Sequence, residues 1–184
     1  MELITKSKLK SIGESYVKTF SVQKLSDSVN ESKIRNSYSN EVTVFLSHKH
    51  FDTEDLKRTI ALFKRLGVDV YIDWMDEEMP QKTSGETAQK IKQKIKSNKK
   101  FVLLATEDAI SSKWCNWELG YGDAHKYIEH IAILPVKSDY TDFSGSEYLQ
   151  IYPVISLKYS FRDTEFIVTY PNGTTKDLKQ WLQS

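Results

Sequence analysis

From residue 41 onward, short apolar runs alternate with amphipathic segments roughly every 25–35 residues. EVTVFLSH contains the β-rich run Val42 to Leu46. FDTEDLKRTIALFKRLG follows, with Leu56, Ile60 and Phe63 at helical spacing and Gly67 placed to stop the helix. VDVYID predicts a second strand at 68–72. A polar loop containing proline leads to ETAQKIKQKIKSN, whose Ala88, Ile91 and Ile95 form a narrow apolar stripe. KKFVLLATE predicts a third strand at 101–105, and a helix follows from about 112 to 128. HIAILPVK predicts a fourth strand at 131–136, with a short fifth around 153–157. Strands alternating with helices imply βαβ units, and unbroken runs such as FVLL and IAIL suit strands covered on both faces. Right-handed crossovers then give a doubly wound α/β fold with a parallel sheet.

The two ends read differently. Residues 1–40 carry seven Lys/Arg against four Asp/Glu and many serines. MELITKSKLKSIGESYVKTF predicts one helix with Leu3, Ile4, Leu9, Ile12, Tyr16 and Val17 on one side, followed by a polar linker. The domain proper is expected at 41–160. Residues 161–184 are expected to form a strand, a PNG turn and a short helix bearing Leu178, Trp181 and Leu182, appended to the sheet edge.

Several function classes are disfavoured. A net charge of +1 supplies no global field for nucleic acid or an acidic membrane. No apolar run approaches the roughly 18–20 residues that span a bilayer, and the N-terminus lacks a signal-peptide core. The single cysteine rules out an internal disulfide framework. A cytoplasmic protein with no membrane or nucleic-acid partner is the expectation. Neither G-x-G-x-x-G nor G-x-x-x-x-G-K-[ST] occurs, so no bound dinucleotide cofactor is expected. His48, His50, His125 and His130 lack the neighbours of a metal site. Ser47 lacks the G-x-S-x-G elbow of a hydrolase. The seven lysines of 82–100 read as a solvated face or as a partner surface for an acidic patch such as Asp69, Asp73, Asp76, Glu77 and Glu78.

Parallel sheets place ligands at the carboxyl ends of their strands. Those ends carry Ser47 and His48 after strand one, Asp73 and Trp74 after strand two, and Thr106 and Glu107 after strand three. The following helix carries SSKWCNWELG at 111–120. Trp114 and Glu118 are i,i+4 and are expected to share a face with Tyr121 and His125, with Cys115 and Leu119 toward the sheet. An aromatic surface beside a carboxylate suits cleavage of an N-glycosidic bond. The same residues also suit a core tryptophan and a helix-dipole glutamate, and the spacing alone leaves both readings open.

Three blocks resemble the TIR (Toll/interleukin-1 receptor) domain family. They are VFLSHKHFD, VDVYIDWMDEEMP and AISSKWCNWELGYGD, in the order and spacing of that family, although DEEMPQKTSGE departs from its usual loop pattern. The resemblance implies a flavodoxin-like five-stranded parallel sheet of order 2-1-3-4-5, flanked by helices. It implies cleavage of the nicotinamide–ribose bond of NAD+, a substrate rather than a cofactor, with Glu118 as the catalytic residue. Trp114, Ser47, His48, Asp73 and Trp74 are then the candidate substrate-binding residues. It further implies a small ADP-ribose-derived signal acting on a separate effector in bacterial antiphage systems such as Thoeris, and self-association through TIR surfaces. A non-catalytic TIR–TIR adaptor and a nucleoside deoxyribosyltransferase-like enzyme are the alternatives.

Overall fold

The computed structural model describes residues 2–17, 43–50, 52–73, 76, 84–140, 145, 147–159 and 164–184. Its strands are β1 (Ile4–Thr5), β2 (Thr43–Ser47), β3 (Asp69–Tyr71), β4 (Lys100–Ala105), β5 (Ile131–Lys137), β6 (Val154–Tyr159), β7 (Thr164–Thr169) and β8 (Thr175–Asp177). Its α-helices are α1 (Lys6–Val17), α2 (Thr53–Arg65), α3 (Gly85–Ser97), α4 (Glu107–Ser111), α5 (Lys113–His125) and α6 (Leu178–Gln183). The sheet runs β3-β2-β4-β5-β6-β7-β8. The pairs from β3 to β6 are all parallel. Counted along the chain from β2, these five strands have the flavodoxin-like order 2-1-3-4-5. β7 and β8 extend the edge in antiparallel pairs.

The alternating faces of the strands feed two cores. On one face Val44, Leu46, Val102 and Leu104 pack with Leu9 of α1, Leu56 and Ile60 of α2, and Trp181 of α6. On the other, Phe45, Phe101 and Leu103 pack with Ile91 and Ile95 of α3 and with Cys115 and Leu119 of α5. All six residues of β4 are buried, which is why FVLL lacks polar alternation.

The N-terminus departs from its helical expectation. Only Lys6 onward is helical; Ile4 and Thr5 form a strand paired parallel with Val136 and Lys137 of β5. Glu2 N–H donates to the Leu157 carbonyl at 3.2 Å, and Leu157 N–H returns a bond to the Glu2 carbonyl at 2.9 Å. β5 and β6 pair directly at Ile133 and Val154. Further along, the N-terminal segment bonds to both, so its backbone groups are satisfied in the sheet while Ile4 is fully buried. Local helix periodicity loses to this non-local pairing. The expected linker, the first strand residue Val42 and the side chains of Tyr16 and Val17 lie outside the described residues.

The C-terminal segment extends the sheet edge and also enters the core. Gly173 takes φ of +84° in the turn joining β7 to β8, a conformation glycine adopts without a Cβ penalty. Asp177 caps α6 by accepting from the Gln180 N–H at 2.9 Å. Trp181 is fully buried and donates its Nε1–H to the Glu129 carbonyl at 2.8 Å. The Lys100 ammonium lies 4.7 Å from the centre of its ring and 2.9 Å from Nδ1 of His130. Among the described residues no helix is long and apolar enough to cross a membrane.

Truncating this anchor removes a large buried ring and strands its partners. Trp181→Ala is expected to lower unfolding stability by about 3–5 kcal/mol, measured by urea denaturation. A loss below 1 kcal/mol would show the terminal helix to be peripheral.

Candidate functional site

Ser47 ends β2, two residues beyond Phe45, so the period of the strand turns it to the face beneath α5. Its side chain is 1% exposed. The buried stripe of α5 is Cys115, Glu118, Leu119 and Gly122. A Cβ on Gly122 would lie 3.3 Å from the Phe101 ring, so the helix rests close against the sheet there. Ser112 caps α5, accepting from the Cys115 N–H, and Thr106 caps the preceding α4. The expected helix of 112–128 is thus preceded by a separate short turn and ends at His125.

Glu118 consequently faces inward, and Ser47 Oγ donates to its Oε2 at 2.6 Å. Burial pushes its pKa up to about 8, the negative charge of Asp73 adds to the rise, and the Ser47 hydrogen bond opposes it. Near neutral pH burial therefore favours the protonated Glu118 carboxyl. Burial also pushes the Cys115 thiol up to about 11, so it is a neutral packing group.

The loops after β2 and β3 complete the cluster. His48 Nδ1 lies 3.0 Å from the Leu46 carbonyl, which can only accept, so Nδ1 carries the proton in this contact. Burial lowers the His48 pKa and favours the neutral ring, while Asp73 pulls the other way. Asp73 thus acts on both His48 and Glu118. Asp52 was not singled out from sequence. It is buried, accepts from Thr106 Oγ1 at 2.5 Å, and has its pKa raised chiefly by burial. Its signal was an acid placed just after the first strand, opposite the cap residue of α4.

The geometry joins Ser47, His48, Asp73 and Glu118, but it divides the expected Trp114–Glu118 face. Glu118 is 5% exposed and Trp114 is 38% exposed. Trp114 stands edge-on to Trp117 at 5.1 Å between ring centres. It lines an outer depression with Ala88, Lys92, Lys113 and Trp117. The turn of helix separating residues 114 and 118 rotates by about 400° at 100° per residue, so the two side chains diverge by some 40° around the axis. That divergence places them on opposite sides of the buried boundary. Trp74 lies outside the described residues.

The proposed acidic docking patch is also revised. Asp76 is buried, accepts from Tyr71 Oη at 2.8 Å, and pairs with Lys94 Nζ at 3.1 Å. It serves the fold internally. Glu77 and Glu78 lie outside the described residues. Among the described residues no group of three or more His, Cys, Asp or Glu is arranged to hold a metal ion.

Comparison with known proteins places the chain in a family. The TIR domain family matches residues 44–166. A Bacillus cereus (strain MSX-D12) protein named probable 3' cyclic ADP-D-ribose synthase ThsB' is 34% identical over 181 residues, covering 95% of this chain and 92% of its own. A Methanobrevibacter olleyae protein named probable 2' cyclic ADP-D-ribose synthase is 31% identical over 149 residues, covering 77% of this chain and 42% of its own. An Acinetobacter baumannii (strain 1295743) protein named 2' cyclic ADP-D-ribose synthase is 32% identical over 110 residues, covering 56% of this chain and 39% of its own. The chain thus spans nearly all of the Bacillus relative and less than half of the other two. It belongs to the TIR domain family.

The buried carboxyl has a measurable cost. Folding raises the Glu118 pKa from 4.5 to about 8, so between those values the native state holds a proton that the unfolded state has released. Stability therefore falls as pH rises across that window, by at most about 1.4 kcal/mol per pH unit. Glu118→Gln removes this term. Its melting temperature is expected to exceed that of the wild type by a margin that widens from pH 5 to pH 8. A constant margin over that range would contradict the assigned shift.

Proposed function

We propose that this TIR-domain chain cleaves the nicotinamide–ribose bond of NAD+ and closes the remaining ADP-ribosyl group into a cyclic ADP-ribose. The observation that carries the reading is the buried Glu118 carboxyl, held by Ser47 at the carboxyl end of the parallel sheet. The names of the relatives support the choice of substrate and product class. The near-complete overlap with the Bacillus relative favours the 3' isomer.

The chemistry asks little of an acid. Nicotinamide in NAD+ already carries a positive charge, so when the C1'–N bond breaks its electron pair neutralises the departing ring. Positive charge passes to the ribosyl C1' and ring oxygen. A carboxylate fixed in a poorly hydrated place stabilises that charge far better than one in water. A cationic substrate entering the site also favours ionisation of Glu118, offsetting the burial that favours its protonated form. Ser47 orients the carboxylate. Asp73 adds negative potential, and neutral His48 offers its Nε2 as an acceptor for a ribose hydroxyl. A hydroxyl of the same molecule then attacks C1' and loses its proton, which forms the cyclic product. NAD+ is consumed as substrate and no resident cofactor enters any step. The product is read as a signal to a separate effector protein in antiphage defence, and self-association through TIR surfaces is part of the same reading.

Incubating the protein with NAD+ and resolving products by mass spectrometry tests this directly. Release of nicotinamide with a cyclic ADP-ribose is expected from the wild type, and a loss of at least 100-fold from Glu118→Gln. Equal turnover by the folded variant would exclude Glu118 from the reaction.

The ionisation of Glu118 also sets the pH dependence. Since the carboxylate is the competent form and the free-enzyme pKa is about 8, kcat/KM is expected to rise with pH through that region. The kcat profile should rise at lower pH, because bound cation favours the carboxylate. Ser47→Ala removes the hydrogen bond that lowers this pKa, so the rise in kcat/KM should move to higher pH. A profile for Ser47→Ala that superimposes on the wild type would count against the pairing.

A further inference from the structure

The buried stripe of α5 gives the helix little resistance to rolling. It consists of Cys115, Glu118, Leu119 and Gly122, of which only Leu119 is a large apolar group. The close approach of Gly122 to Phe101 sets which side faces the sheet, but a glycine has no side chain to lock the finer roll. That roll matters because the Ser47–Glu118 hydrogen bond is only 2.6 Å long. A carboxyl about 6 Å from the helix axis moves by about 2 Å when the helix rolls by about 20°. Such a shift breaks the bond. Contacts outside the stripe must therefore fix the roll.

Such contacts come from the crossover between β5 and β6. Its short 3-10 helix, Glu147–Ile151, is followed by Tyr152, whose N–H donates to the Leu149 carbonyl at 3.2 Å and continues the turn. Three residues per turn bring positions 149 and 152 to one side. Leu149 and Tyr152 are both buried, in the core that also takes Cys115 and Leu119. Tyr152 hydrogen-bonds to the Asp123 carboxylate near the end of α5. Tyr148 Oη donates to Asn116 Oδ1 near its start, at 2.5 Å. The Asn116 amide is held on its other side as well, its Nδ2 donating to the Ile110 carbonyl of α4 at 2.9 Å. The crossover is itself tied to the sheet, since the Ile133 N–H of β5 donates to the Pro153 carbonyl at 2.8 Å. Asn116 and Asp123 are seven residues apart and lie within about 20° of one line along the helix. Glu118 lies about 160° from Asn116 around the axis, on the other flank of the buried stripe.

We propose that the crossover is a two-point clasp on α5, with Tyr148 and Tyr152 as positioning residues that fix the roll of the helix and so the place of Glu118. Two ties on one line, near opposite ends of a helix, oppose roll and tilt together. Neither hydroxyl bonds to Glu118, so both act through the helix. The sheet blocks any roll that would drive Glu118 deeper, so a loosened helix rolls it outward, toward water. Water lowers the cost of the charged form. The groups that act on Glu118 besides burial are Asp73 and Ser47, and both belong to the strand ends rather than to the clasp. The value of the clasp for catalysis rests on the NAD+ reading above, since a carboxylate stabilises developing charge best when it is fixed in place. Its effect on the position of Glu118 does not depend on that reading.

The double variant Tyr148→Phe/Tyr152→Phe removes both hydroxyls with little change of shape. Titration of the Glu118 carboxyl by carbon-13 NMR tests the clasp, the resonance being identified by its loss in Glu118→Gln. The wild type is expected to titrate at about 8. The double variant should titrate lower by about half a pH unit or more, with each single variant between the two. Its limiting kcat/KM for nicotinamide release at high pH should fall about tenfold or more, since a misplacement of about 1 Å costs up to about 100-fold. Asp123→Asn keeps an acceptor for the Tyr152 hydroxyl and should titrate as the wild type does, whereas Asp123→Ala should titrate lower. Ile60→Val loosens the core on the opposite face of the sheet and should leave the titration in place. An unmoved titration in the folded double variant, or an equal shift in Ile60→Val, would overturn the proposal. If the titration moves as expected while the wild type releases no nicotinamide, the clasp stands and the enzymatic reading fails. Nicotinamide release that requires Glu118, together with an unmoved titration in the double variant, keeps that reading and removes the clasp.

Discussion

A carboxyl group buried against the end of a parallel sheet is costly, and much of this molecule is arranged around that cost. Glu118 lies on the sheet-facing stripe of α5, where water cannot stabilise its charge. Among the described residues its side-chain hydrogen bond comes from Ser47, at the last position of the strand β2. That contact needs β2 in register with β4, and α5 lying flat enough for Gly122 to rest on Phe101. The apolar cores on both faces of the sheet supply the stability that offsets it. A site designed only for stability would place leucine at 118. Retaining an acid there makes sense when a positive charge is to develop beside it.

Helix α5 inverts the usual distribution of residue types. Its buried stripe contains a cysteine, a glutamate, a leucine and a glycine, while its outer side carries Trp114, Trp117 and Tyr121. The small residues inside let the helix sit close to the sheet. Trp117 and Tyr121 are approached by the ammonium group of Lys92 on α3, which places charge over their exposed faces. One element thereby presents two chemically different surfaces a single turn apart.

The legible parts of the fold were those where local pattern and tertiary environment agree. The strands of FVLL and IAIL, and the helices of residues 53–65 and 85–97, bury most of the residues their spacing indicates, the exception being Ala88, which is only half-buried while Thr87 beside it is buried. The terminal segments were harder because their partners are distant in sequence. Ile4 is a strand residue only because Val136 is beside it, and Trp181 is an anchor only because Glu129 and Lys100 meet it. The acidic run after β3 looked like a surface patch, yet Asp76 turns inward to Tyr71 and Lys94. Charge in a sequence carries no record of the direction in which it points.

The residue types and their order were enough to indicate a parallel α/β sheet and to place Ser47, His48 and Asp73 at its strand ends; they left Glu118 open between a site acid and a helix-dipole glutamate, and the resemblance to the TIR family singled it out. Periodicity is a local property and largely survives translation into structure, whereas the i,i+4 spacing of Trp114 and Glu118 did not keep the two on one side of the buried boundary. Which side of α5 faces the sheet was decided only in the tertiary structure. Positions 114 and 118 differ by some 40° around the axis, and the close approach at Gly122 sets the helix rotation that sends Glu118 inward and Trp114 outward. Helical spacing constrains which residues are neighbours, whereas burial, and with it the pKa of about 8 at Glu118, depends on the packing of the whole sheet beneath them.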